Sequence, residues 1–159
     1  MSRYWRGLIF LIGLSLSQPV MLYAESGSFG AGFMLGSPSG ITGKVFFDAN
    51  SALDFGLGVV AGDDMYCYAD YLRHFSGIFP LSDIALSVGL GPGYHRYEKE
   101  RKRRDDEREN RFELRMPLGL EYVIRMIPLG VFLEIAPALR MIPEIGFDIR
   151  GGIGVRYYF

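Results

Sequence analysis

The sequence predicts an all-β fold: an eight-stranded antiparallel barrel of up-and-down topology, with its apolar face turned outward as in a transmembrane β-barrel. Three observations predict it. Apolar and polar residues alternate with period two in eight runs, the pattern of half-buried strands. No segment beyond residue 24 holds the about 18 consecutive apolar residues of a spanning helix. The face opposite the apolar one combines glycine with charge.

The first segment stands apart from that pattern. Arg3 and Arg6 make a basic start, residues 8–16 form a short apolar run, and Gln18-Pro19 ends it. Leu22-Tyr23-Ala24 before Glu25 fits a cleavage site, so residues 1–24 are expected to be a cleaved signal peptide and residues 25–159 one barrel domain. Removing the leader takes away two arginines and leaves 15 basic against 18 acidic residues, a formal charge of −3. That balance excludes a basic nucleic-acid binder. Cys67 is the only cysteine, so no internal disulfide can staple the domain.

The strands follow in order. Residues 28–36 set Phe29, Ala31, Phe33 and Leu35 against Gly30, Gly32 and Met34; Ser37-Pro38-Ser39-Gly40 turns the chain. Residues 41–47 set Ile41, Val45 and Phe47 against Thr42 and Lys44. In the third run Leu53, Phe55, Leu57 and Val59 alternate with Asp54, Gly56 and Gly58. Residues 65–75 alternate less cleanly, with Asp70 marking the polar face and Cys67 on the apolar one. The fifth run sets Ile84, Leu86, Val88 and Leu90 against Ala85, Ser87, Gly89 and Gly91. A charged segment, 95–110, interrupts the alternation. Phe112, Leu114, Met116, Leu118, Leu120 and Tyr122 then oppose Glu113, Arg115, Gly119 and Glu121. Val131, Leu133, Ile135 and Leu139 oppose Glu134, Ala136, Ala138 and Arg140. The last run, ending at Phe159, opposes Phe147, Ile149, Ile153, Val155 and Tyr157 to Asp148, Arg150, Gly152, Gly154 and Arg156.

Alternation alone fits a soluble barrel with an apolar interior as well as a membrane barrel with an apolar exterior. The second face decides. It carries Lys44, Asp54, Asp70, Glu113, Arg115, Glu121, Glu134, Arg140, Asp148, Arg150 and Arg156 among its glycines. Glycine weakens a strand and has no use on a solvated surface. Inside a narrow eight-stranded barrel it leaves room for long side chains from facing strands. Those residues are expected to form a lumen charge network, in which each buried charge needs a partner. Aromatic residues at the run ends support this. Tyr94, Phe112 and Phe147 fall at one end and Phe29, Phe47, Tyr122, Tyr157 and Phe159 at the other, as two interfacial girdles require. Both termini then lie in the periplasm; the connections at 37–40, 61–64, 94–110 and 141–146 face outside, and those at 48–51, 76–83 and 123–128 face the periplasm.

The pieces Gly36-Ser37-Pro38-Ser39-Gly40, Ala69-Asp70-Tyr71, Pro117-Leu118-Gly119-Leu120-Glu121-Tyr122, the run 131–137 and the run 151–159 resemble a family of small outer-membrane β-barrels of unknown function, known chiefly from spirochaetes. The family is similar in architecture to OmpA/OmpX-type barrels. The resemblance implies the outer membrane of a diderm bacterium, reached through the general secretory route, with outer-membrane lipid as the surroundings. It brings no catalytic residues. Val155, Tyr157 and the terminal Phe159 resemble the signal read by the outer-membrane assembly machinery.

The remaining motifs weigh toward display. Between Glu98 and Glu109 six basic residues face six acidic ones, and Arg101, Lys102, Arg103 and Arg104 form the basic centre. That centre is the candidate contact for a host protein or an anionic glycan. Residues 89–93 lack the Gly-Lys-Ser/Thr ending of a phosphate loop and read as a strand rim. His74 and His95 fall near opposite ends and cannot share a metal; Asp63-Asp64 reads as a turn. No metal, cofactor or nucleic acid is expected, and no catalysis. A narrow conduit for small solutes is the alternative function, against which the lumen charges argue. A lipid-modifying enzyme is a further one, for which His95 with Glu113 is the available pairing.

Overall fold

In the computed structural model the described residues are 28–60, 64–78, 83–97, 109–124 and 126–159. The signal peptide expected at 1–24 and the basic centre at Arg101, Lys102, Arg103 and Arg104 lie outside them.

The strands are β1 (Phe29–Ser37), β2 (Ser39–Asp48), β3 (Ser51–Val60), β4 (Asp64–Phe75), β5 (Ile84–Tyr97), β6 (Glu109–Arg115), β7 (Leu118–Ile124), β8 (Leu129–Ile142) and β9 (Gly146–Tyr158). Every pairing is antiparallel. β1 pairs with both β2 and β9, and β4 pairs with β5, so the sheet closes on itself. Closure leaves no edge strand among the described strands.

Nine segments make eight barrel positions. β6 and β7 both lie between β5 and β8. Arg115 stands opposite Ala138 and Leu118 opposite Ile135, so the register against β8 passes through the break unchanged. The same holds against β5, where Arg115 faces Gly91 and Leu118 faces Val88. The sixth predicted strand is therefore one strand interrupted at Pro117. Gly89 N–H donates to the Pro117 carbonyl at 2.9 Å, but proline has no N–H to return the bond. Met116 N–H likewise reaches the Pro137 carbonyl at 2.8 Å without a reciprocal donor.

Several boundaries differ from the sequence reading. β5 runs on to Tyr97 and β6 starts at Glu109, with Tyr94 facing Phe112 and His95 facing Arg111. The connection expected at 94–110 shrinks to 98–108. The reason is that both faces are polar at this end, so no alternation shows. Residues 89–93 are consequently mid-strand and not a rim. Gly93 is needed there for space, since a Cβ would lie 2.8 Å from the Glu113 side chain. Asp64 opens β4 and is buried, not part of a turn. Near the end of β8 one extra residue separates the Glu113–Arg140 pair from the Phe112–Ile142 pair. This bulge turns Ile142 out of lumen parity and onto the outer face beside Phe112.

Parity sorts the side chains as inside-out. Outward Phe33, Leu35 and Ile149 are 66%, 71% and 68% exposed, whereas inward Asp70 and Arg115 are 0% exposed. Aromatic contacts gather at both rims: Tyr94 with Phe112 at 5.1 Å at one end, and Phe29 with Phe159 at 6.2 Å at the other.

Candidate functional site

The lumen is the most densely functionalised part of the molecule. Among the described residues, four basic side chains (Lys44, Arg115, Arg150, Arg156) and six acidic ones (Asp54, Asp64, Asp70, Glu113, Glu121, Glu134) are buried there. Inward positions on strands around the ring bring them together, and they stack in tiers.

At the end that holds the termini, Lys44 Nζ lies 2.6 Å from Glu121 Oε2 and 3.4 Å from His74 Nε2. The Tyr158 hydroxyl donates to the other Glu121 oxygen. Phe46 closes this tier, its ring 5.1 Å from His74 and 6.0 Å from Tyr158. One tier further in, Arg156 Nη2 donates to both Asp54 oxygens at 2.9 and 2.7 Å and to Thr42 Oγ1 at 2.6 Å. Its guanidinium lies 3.9 Å above the Phe132 ring.

Arg115 is the centre. Its Nε lies 2.9 Å from Asp70 Oδ2, its Nη2 binds Glu134, and its guanidinium lies 3.8 Å above Tyr68. Above it, Arg150 grips Glu113 through two bonds of 2.7 and 2.8 Å, and Tyr66 donates to the same carboxylate. The fork of the guanidinium matches the two carboxylate oxygens, which is why arginine serves here. At the far mouth Arg140 meets Asp148 at 2.7 Å, both partly open to solvent, and His95 Nε2 lies 3.5 Å from Asp64.

The sequence-derived lumen residues thus fall on the inner face, with Arg140 and Asp148 at its mouth. The His95–Glu113 pairing does not form as a catalytic couple: Glu113 is held by Arg150 and Tyr66, and His95 faces Asp64. Sequence reasoning missed Tyr66, Tyr68, Phe132, His74 and Tyr158 as lumen residues. Their signal was available, since Tyr66, Tyr68 and His74 share parity with Asp70. Val155, Tyr157 and Phe159 point outward, 42%, 46% and 76% exposed. Cys67 is a free thiol on the outer face.

Among the described residues no group of three or more His, Cys, Asp or Glu side chains could hold a metal ion. Acidic and basic side chains pair across the barrel, an arrangement that ties facing strands together.

No protein-family model matches the chain, and no match arises among curated proteins. Among solved structures the chain is similar to the N-terminal β-barrel domain of Pseudomonas aeruginosa OprF, with a TM-score of 0.66 at 14% identity, over 86% of this chain and 99% of that one. What the likeness establishes is the fold, a small closed antiparallel β-barrel of OmpA-like architecture.

Proposed function

We propose that the chain is an integral outer-membrane β-barrel of a diderm bacterium with a structural or surface-interaction role. The observation that carries this is the inverted burial: large apolar side chains cover the outside while ion pairs fill the inside. A soluble barrel would leave that apolar surface in water, far beyond the few hundred Å² of contiguous apolar patch usual for a soluble monomer. Assembly into lipid is the environment in which both faces are satisfied. The resemblance to the spirochaete-type family belongs to the same proposal.

A closed barrel is expected to migrate faster on a denaturing gel unboiled than boiled, and to partition with membranes. Identical migration, with the protein in the soluble fraction, would overturn the reading.

In this proposal the ion-paired lumen makes the barrel a rigid scaffold, and recognition moves to the connection at 98–108. Its basic centre, Arg101 to Arg104, would meet a host protein or an anionic glycan. Deleting residues 98–108 is expected to preserve the heat-modifiable barrel and abolish binding to immobilised sulfated glycan or host matrix protein. Binding that survives the deletion would sink the display role.

A further inference from the structure

The apolar band on the outer wall is not equally tall all round. Partners followed from Gly32 on β1 run through Thr42, Gly56 and Tyr68, then Gly93, Glu113 and Arg140, to Gly146 on β9. Gly146 lies beyond Gly151, the β9 partner of Ser37 at the top of β1. The rungs therefore climb toward the outer end in the direction β1 to β2, by about ten residues in one circuit, and the strands tilt by about 40°. Each residue along a strand then rises about 2.5 Å, and each step to the next strand about 3 Å.

The lower edge of the band is level. Phe29, Phe47, Phe75, Tyr122 and Tyr157 are all exposed, and they fall within about 4 Å of one height. The upper edge slopes. On β8 and β9 the exposed Leu139 and Phe147 carry the band to about 25 Å above the lower edge. That is the usual height for a membrane barrel, about 25 Å. On β1 and β2 the last exposed apolar residues are Leu35 and Ile41, only about 15 Å above the same edge. Gly36, Ser37, Ser39 and Gly40 lie above them.

Tilting the barrel cannot remove the difference, because any tilt that levels the upper edge takes the lower edge off level. Nor can snorkelling, since residues 35–41 hold no Lys, Arg, Trp or Tyr to reach up to headgroups. The backbone adds a second demand. Beside the low wall β9 continues from Arg150 out to Gly146, and among the described residues it has no β1 partner there. Hydrocarbon offers the backbone groups on that side no hydrogen bond. Water or headgroups must reach them.

We infer that the β1–β2 hairpin thins the membrane beside it: outer-leaflet headgroups and their water descend to Ser37 and Ser39, about 10 Å below their level at β8 and β9. The inference rests on the membrane reading above, and adds where on the wall the bilayer is thinnest. A wall too short for its bilayer is relieved by local thinning or by a covering of protein. The unpaired side of β9 favours thinning, because a lowered interface brings water to that backbone and an apolar covering does not. The surface that fits this face is therefore the wet edge of the outer leaflet, drawn down to one side of the lumen mouth.

Nitroxide depth measurement tests this with the full mature barrel in dioleoylphosphatidylcholine vesicles. Single labels are placed through Leu35→Cys, Ile41→Cys and Ile135→Cys, each in a Cys67→Ala background. Ile135 is exposed on β8, where it pairs with Gly151, and stands within about 3 Å of the height of Leu35 and Ile41. Collisions with a water-soluble nickel chelate should be several-fold more frequent at Leu35 and Ile41 than at Ile135, and collisions with oxygen less frequent. In depth the two should read about 10 Å closer to the headgroups. Equal depths at the three positions overturn the inference. So do labels at Leu35 and Ile41 shielded from both reagents, because protein then covers the face. Heat-modifiable migration checks that each variant is folded, and Ile41 gives the reading if the Leu35 variant does not fold. A barrel that shifts on heating and shows equal depths ends this inference alone; a parent protein that shows no shift ends the membrane reading itself.

Discussion

Replacing Arg115 by Met is expected to lower the stability of the folded barrel by about 3–5 kcal/mol, read as a fall in the urea midpoint of protein refolded into vesicles. Arg115 is fully buried and is shared by Asp70 and Glu134. Its removal leaves two carboxylates near each other in the lumen with no cation between them, and uncompensated buried charge is the costly outcome. The triple change Arg115→Met, Asp70→Asn, Glu134→Gln should recover most of the loss, because neutral partners carry no such penalty. A single variant as stable as the parent would show that the central tier does not brace the barrel. The same tier predicts that the parent protein is silent in a planar bilayer. Steady single-channel current from it would favour the conduit reading over the scaffold.

Gly32→Val should prevent barrel closure. β1 and β9 form the seam between the two ends of the chain, and Gly32 faces Arg156 across it. A Cβ at Gly32 would lie 2.7 Å from the Val155 carbonyl carbon and 2.8 Å from Arg156 Cα. These are backbone atoms of a neighbouring strand, which cannot rotate away as a flexible side chain can. Overpacking costs of about 1–3 kcal/mol apply where neighbours can yield, and here they cannot. Loss of the heat-modifiable form is expected for Gly32→Val, whereas Ala31→Val, one residue along and facing outward, should fold. A normal shift in Gly32→Val would show that the seam has slack.

How much of this was legible depended on contrast between the two faces. β3 was read cleanly because Leu53, Phe55 and Leu57 oppose Asp54 and Gly56. β4 was harder, since Tyr66, Tyr68 and Leu72 on the inner face are as apolar as Met65, Cys67 and Tyr71 on the outer, and only Asp70 marks the parity. At the far ends of β5 and β6 contrast vanished. His95 and Arg111 point in, Arg96 and Asn110 point out, and all are polar, so no alternation marks the strand there. The bulge in β8 was invisible for a related reason: one inserted residue exchanges faces without changing composition. The contact of Arg73 with Ser51 could not be found from the sequence, because it is set by the register of β3 against β4.

The sequence by itself determined the number of barrel positions, the face each side chain takes in the well-contrasted strands, and the inversion that puts apolar groups outside. Each of those is a local property, carried by period-two alternation within about ten residues. Only the tertiary structure decided which charges meet. Arg156 and Asp54 are 102 positions apart, and Arg115 reaches from β6 to Asp70 on β4 and to Glu134 on β8. Such partners are set by strand tilt and stagger around a closed ring, quantities that belong to the whole barrel and to no single strand.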